Sequence, residues 1–164
     1  MSGVGSTRTL AWTALALVAA ISASGAPGAT QSVAPCRAAV RHDVIPVWAR
    51  AGFSGPRPQV PYVLGRSGRF VAILFGYPLQ SPPGADRNNK ILWVPRTLAK
   101  VPAALWIRAQ RMQGTRAVGA PVGRVLQGGP GPSIVDLPAA GCWRLKLTWS
   151  GRSDTLDLVY GAGG

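Results

Sequence analysis

The chain contains no glutamate, and only five aspartates stand against eighteen basic residues, fifteen of them arginine. It has one histidine, two cysteines and no run periodic enough to make an amphipathic helix of ordinary length. Each shortage excludes something. One His, two Cys and five scattered Asp supply no zinc-ligand spacing, and Asp154-Thr155-Leu156-Asp157 is not a calcium loop. Paired-carboxylate catalysis needs two facing acids. Asp157 is expected to point away from the core and Asp154 to sit in a turn, so both read as solvated surface residues. The glycine-rich Gly128-Gly129-Pro130-Gly131-Pro132 lacks the Gly-Lys-Ser/Thr ending and the helix of a phosphate loop, and its prolines remove amide donors. No cofactor is implied. There is no internal repeat, and the N-terminal apolar run, Leu10 to Ile21, falls short of the about 20 residues of a stable transmembrane span.

What the chain does have is a pattern of short alternating runs between turn formers. Trp143, Leu145, Leu147 and Trp149 alternate with Cys142, Arg144, Lys146 and Thr148; a turn at Ser150-Gly151-Arg152-Ser153 then leads to Leu156, Leu158 and Tyr160. Period two on both sides of a turn predicts a β-hairpin. Leu105, Ile107 and Ala109 alternate in the same way with Trp106, Arg108 and Gln110. Phe70 to Phe75 is continuously apolar, as in a strand buried on both faces, and Ile91 to Val94 is a short strand that can pair with it as an antiparallel hairpin with an extended tip. Weaker strands are expected at Val122 to Leu126, at Ser133 to Leu137 and at Ala39 to Val47, where Pro46 to Ala51 offers one helical turn as the alternative. With 21 Gly and 15 Pro placed between these runs, the chain is predicted to be an all-β antiparallel sandwich of about seven or eight short strands. The 47% apolar content argues against disorder.

Residues 1–29 read as a secretory signal peptide, with uncleaved retention as a signal anchor the alternative: Arg8 supplies charge, the apolar run follows, and Ser22 to Ala29 is rich in small residues. Residues 30–164 then form a single domain, long enough for a core. In an exported chain the pair Cys36 and Cys142 reads as a disulfide closing a loop of roughly 100 residues. Lipidation of Cys36 is the rival, although Pro35 stands where a lipobox carries a small residue. The Arg excess has two open explanations, namely carboxylate and phosphate recognition through the guanidinium fork and GC-rich codon usage. Either way a pI near 11.6 favours anionic surfaces, and export argues against a nucleic-acid partner.

The stretch Asp136-Leu137-Pro138-Ala139-Ala140-Gly141-Cys142-Trp143, followed by two alternating strands, resembles the closing strand pair of bacterial immunoglobulin-like domains. Arg69 to Pro78, Asn88 to Arg96 and Gly131 to Tyr160 resemble uncharacterised exported proteins of high-GC bacteria. The first resemblance implies an immunoglobulin-like sandwich, and neither implies an activity. Gly141-Cys142-Trp143-Arg144 also resembles the nucleophile segment of L,D-transpeptidases. Those need a histidine shortly before the cysteine, whereas His42 precedes it by about a hundred residues.

The expected function is therefore that of a non-enzymatic binding or structural module, secreted and associated with the cell envelope. Its partner would be an anionic envelope component or a protein. A cysteine-dependent envelope enzyme and assembly through sheet edges are the alternatives. The expected partner surface is the loop Gly76 to Lys90 with Asp86, Arg87, Asn88 and Asn89, or else Asn88-Asn89 only makes the turn. Among the aromatic residues Trp143 and Trp149 read as core, and Trp48 is expected to be buried. Trp106 shares a face with Arg108.

Overall fold

All five side chains of Phe70–Leu74 are buried, because the sheet that holds this strand is covered on both faces. The computed structural model describes residues 1–3, 34–99, 101 and 103–163, so the signal-peptide reading lies outside the described residues apart from the first three. The chain divides into two units, Met1–Ser32 and Val33–Gly164, and the sheets belong to the second. After a 3₁₀ turn at Val47–Ala49 come β1 (Tyr62–Leu64), β2 (Phe70–Leu74), β3 (Gln80–Ser81), β4 (Lys90–Pro95), β5 (Leu105–Gln113), β6 (Arg116–Leu126), β7 (Pro132–Ile134), β8 (Gly141–Trp149) and β9 (Arg152–Ala162). There is no α-helix among the described residues, and none long and apolar enough to cross a membrane.

The strands make two sheets, in the orders β1-β2-β4-β7 and β3-β9-β8-β5-β6. Every pairing is antiparallel except that of β3 with β9. The sheets pack face to face. Phe70, Ala72, Leu74, Ile91 and Trp93 of the first share one core with Leu105, Ile107, Leu145, Leu147, Leu156 and Leu158 of the second. The alternate residues of the first sheet, Tyr62, Val71 and Ile73, face the other way into a second cluster with Ile45 and Ala49. Period two thus sends half of β2 into each cluster, which is why its sequence is continuously apolar.

The outer cover comes from the segment before β1. This segment starts on the five-stranded sheet, where Cys36 is bonded to Cys142 of β8. It then pairs with the other sheet through a bridge between Arg41 and Tyr62, and sets Ile45, Trp48 and Ala49 on that sheet's outer face. The strand expected at Ala39 to Val47 does not form. Pro46 instead leads into the 3₁₀ turn, the alternative reading of the same residues. Trp48 is half-buried against the outer cluster.

The closing hairpin is built as its alternation predicts, with Trp143, Leu145, Leu147 and Trp149 and then Leu156, Leu158 and Tyr160 facing the core. Its turn has two residues, Ser150 and Gly151, with φ of 47° and 72°, the left-handed pair that matches the twist of adjoining strands. β6 is far longer than the five residues expected. Its register with β5 shifts between Ala109 and Arg111, and Gly119 takes a φ of 67°. With Pro121, these irregularities interrupt an open edge that would otherwise invite a further strand.

Asp154 and Asp157 are not the solvated residues expected; they are 4% and 5% exposed. β9 begins at Arg152, so Asp154 falls in phase with Leu156 and points inward. There its carboxylate accepts hydrogen bonds of 2.7–3.0 Å from the backbone N–H groups of Ser67, Arg69, Phe70 and Thr155. It fastens the β1–β2 turn of one sheet onto the last strand of the other. Gly65 is needed there, since a Cβ at that position would fall on the carboxylate.

Asp157 does face outward, but the start of the covering segment lies over it. Arg144 grips it with Nε and Nη2 at 2.9 and 3.0 Å, Arg66 Nη2 donates at 2.9 Å and the Arg37 N–H at 3.0 Å. Burial pushes this carboxyl up, yet these donors outweigh it and hold it below the usual carboxylate range. A carboxyl depressed in the folded state contributes stability above its unfolded value, near 3.9, and loses it as pH falls through the folded value. Thermal unfolding should therefore show a constant contribution from this group between about pH 5 and 7 and a decline below about pH 4. Asp157→Asn should lower the midpoint at neutral pH and flatten that acid limb. An unchanged acid limb in the variant would assign it to other groups.

Candidate functional surface

Trp106 stands on the outer face of the five-stranded sheet and is 59% exposed, the only tryptophan among the described residues classed as exposed. β5 places it there: Leu105, Ile107 and Ala109 fill the core, so Trp106 and Arg108 must face out. Register supplies their neighbours. Trp106 lies opposite Val125 on β6 and Thr148 on β8, while Arg108 lies opposite Gly123 and Lys146. These six residues line a shallow groove of about 360 Å³, in which Gly123 leaves a notch beside Arg108.

The electrostatics of this face are one-sided. β5, β6 and β8 carry no acid, and their register sets Arg108, Arg144 and Lys146 on this face. Arg108 and Lys146 are direct cross-strand partners, a like-charge juxtaposition that destabilises a sheet. The outward acid of β9, Asp157, is already held by Arg144 and Arg66 in the two ion pairs found among the described residues. The remaining acids lie elsewhere. Asp43 accepts from Tyr62 Oη at 2.7 Å and Asp136 from Asn89 Nδ2 at 2.7 Å, and Asp86 lies in the loop before β4. The groove therefore presents an aromatic plate beside a pair of cations with no internal counter-charge.

Of the loop expected to hold the partner surface, Asp86, Arg87 and Asn88 are at the surface and Asn89 is not. β2 and β4 pair as antiparallel neighbours, but the connection between them is no free tip, since β3 within it joins the opposite sheet beside β9. Asn89 is 2% exposed and so is not a surface residue. Its Oδ1 accepts from the Gln80 N–H at 2.9 Å and its Nδ2 donates to the Gln80 carbonyl at 2.8 Å, so the side chain imitates a strand partner for β3. Nor does Asn89 make a turn. Arg87 donates to the carbonyls of Gly76 and Tyr77 at 3.4 and 3.0 Å. Asp86 and Asn88 are exposed.

Cys36 and Cys142 are bridged, with Sγ atoms 2.06 Å apart and Cα atoms 6.0 Å apart. Neither sulfur is free to act as a nucleophile or to carry a thioether-linked lipid. His42, the histidine such a nucleophile would need, sets its ring edge-on to Tyr77 at 5.5 Å. Lys146, Thr148 and Gly123 are the surface residues that sequence reasoning did not single out. Alternation shows each strand's outward set, but not that β5 and β8, separated in the chain by β6 and β7, lie side by side. No family model, curated protein or solved structure matches the chain, so its surface must carry the functional argument.

Proposed function

We propose that this chain is an exported, non-enzymatic binding module of the cell envelope, built on an immunoglobulin-like sandwich, and that its contact face is the Trp106 groove. The observation that carries the reading is the exposed indole beside the paired, uncompensated Arg108 and Lys146. Exposed aromatic and basic side chains on a rigid sheet make contact surfaces, and cations without counter-ions favour an anionic partner. Export is supported by the disulfide, a bond characteristic of oxidising compartments. The immunoglobulin-like class is supported by strand order: β2-β4-β7 corresponds to the A-B-E order of such domains, and β9-β8-β5-β6 to G-F-C-C′. It departs from them in the added β1 and in a disulfide that ties the covering segment to β8 rather than joining the sheets. Kinship with the exported proteins of high-GC bacteria belongs to the same reading.

The test is sedimentation of the purified chain with cell-envelope material. Trp106→Ala should lower the retained affinity by about tenfold or more, and Arg87→Ala with Asn88→Ala should leave it unchanged. All variants should keep the parent's melting midpoint, because these side chains lie outside the core. Equal retention of the parent and Trp106→Ala would remove the proposal.

A further inference from the structure

Resting on that reading of the groove, we propose that its ligand is an acidic polysaccharide, a polymer of sugar rings bearing carboxylates, lying across β6, β5 and β8. The outward residues form two adjacent rows across these strands. Val125, Trp106 and Thr148 make one; Gly123, Arg108 and Lys146 make the other. Successive rows on one sheet face are about 7 Å apart along the strand, a spacing on the scale of a single sugar residue. The first row offers a flat indole for the apolar C–H face of a pyranose ring and a hydroxyl at Thr148 for the ring's own hydroxyls. In the second, Arg108 and Lys146 stand side by side on neighbouring strands, next to where a carboxylate on the same or the next residue would fall. The guanidinium fork suits that group in particular. The Gly123 notch keeps the approach to Arg108 open on the β6 side.

The same arrangement disfavours a protein partner. Protein interfaces centre on a desolvated apolar cluster with charges at the rim, whereas here two like charges sit beside the single aromatic. A ligand that brings its own anions relieves the Arg108–Lys146 repulsion; a neutral glycan would have to bury it. Polyanions without sugar rings would engage the second row alone and leave Trp106 unused.

The experiment is calorimetric titration of the full chain, disulfide intact, with polygalacturonate, with dextran as a neutral glycan and with inorganic polyphosphate as a polyanion lacking sugar. Polygalacturonate should bind and dextran should not. Trp106→Ala, and separately Arg108→Gln with Lys146→Gln, should each weaken polygalacturonate binding about tenfold or more. Polyphosphate should bind more weakly, in a manner sensitive to the charge variants and indifferent to Trp106→Ala. No binding of polygalacturonate, or polyphosphate bound as tightly with Trp106→Ala altering neither, would overturn the ligand class. If envelope retention still depended on Trp106 in that case, the contact face would stand and only its ligand would be wrong. Circular dichroism and the melting midpoint of each variant confirm that losses are not losses of fold.

Discussion

Replacing both Cys36 and Cys142 with serine should cost about 4–5 kcal/mol of stability, the expected effect of releasing a loop of roughly 100 residues in the unfolded chain. The bridge joins residues 106 apart in sequence, so its removal restores much conformational freedom to the denatured ensemble. In the folded state it pins the start of the covering segment, whose other anchors there are few. These are the Cys36 N–H to the Gly114 carbonyl at 2.9 Å, Arg37 N–H to Asp157, and Arg144 Nη2 to the Ala34 carbonyl at 2.8 Å. Urea unfolding of the two forms should show the difference as a lower midpoint, and heating should show a fall on the order of 15 °C. The slope should rise as well, because an uncrosslinked chain exposes more surface. A loss below about 1 kcal/mol would mean that the bridge constrains little that other contacts do not already hold.

Asp154→Ala should be nearly as damaging, at about 3–5 kcal/mol, because it strips a buried charged acceptor from four donors at once. Three of those donors, the N–H groups of Ser67 and Arg69 in the β1–β2 turn and of Phe70 at the start of β2, cannot reorient without breaking that turn. Asp154→Asn should fall between, since one oxygen remains an acceptor while the new amide faces donors. Gly65→Ala should give a loss of the same kind by displacing the carboxylate from its place. Asp157→Ala makes the useful contrast. One of its partners, Arg66, is 43% exposed and can turn to water, so the cost there should be smaller. Denaturant midpoints for the four variants would rank them; equal losses at Asp154 and Asp157 would refute the distinction between a carboxylate held by four backbone amides and one held in part by an exposed arginine.

Much of the sandwich was legible in the residues. Alternation over 105–110 in β5 and 142–149 in β8 specified strand, face and core together, and the unbroken apolar run at 70–75 signalled a strand covered twice. At Asp157 and Asn89 the missing information was a partner distant in sequence. Asp157 was rightly placed on the outer face, but nothing near it announces that residues 34–37 would lie above it. Asp154 was in principle readable: Asp154, Leu156, Leu158 and Tyr160 share one phase, and starting the strand three residues earlier would have put the acid inside. Asn89 looked like turn chemistry because Asn commonly makes turns; its actual task depends on β3, a two-residue strand too short to leave a periodic trace. The groove was half visible. Trp106 and Arg108 declared themselves through alternation, whereas Lys146 became relevant only once β8 was found beside β5.

The bridge also decides how the domain would carry mechanical load. Any traction applied to the chain ahead of Cys36 crosses covalently to Cys142 and enters β8 in the middle of the five-stranded sheet. Residues 37–141, including the four-stranded sheet and its cover, run in parallel with that shortcut and are relieved of the tension. A domain tethered by its leading end could thus be pulled hard without its covering segment peeling away, and reducing the bond would expose that segment to the full force.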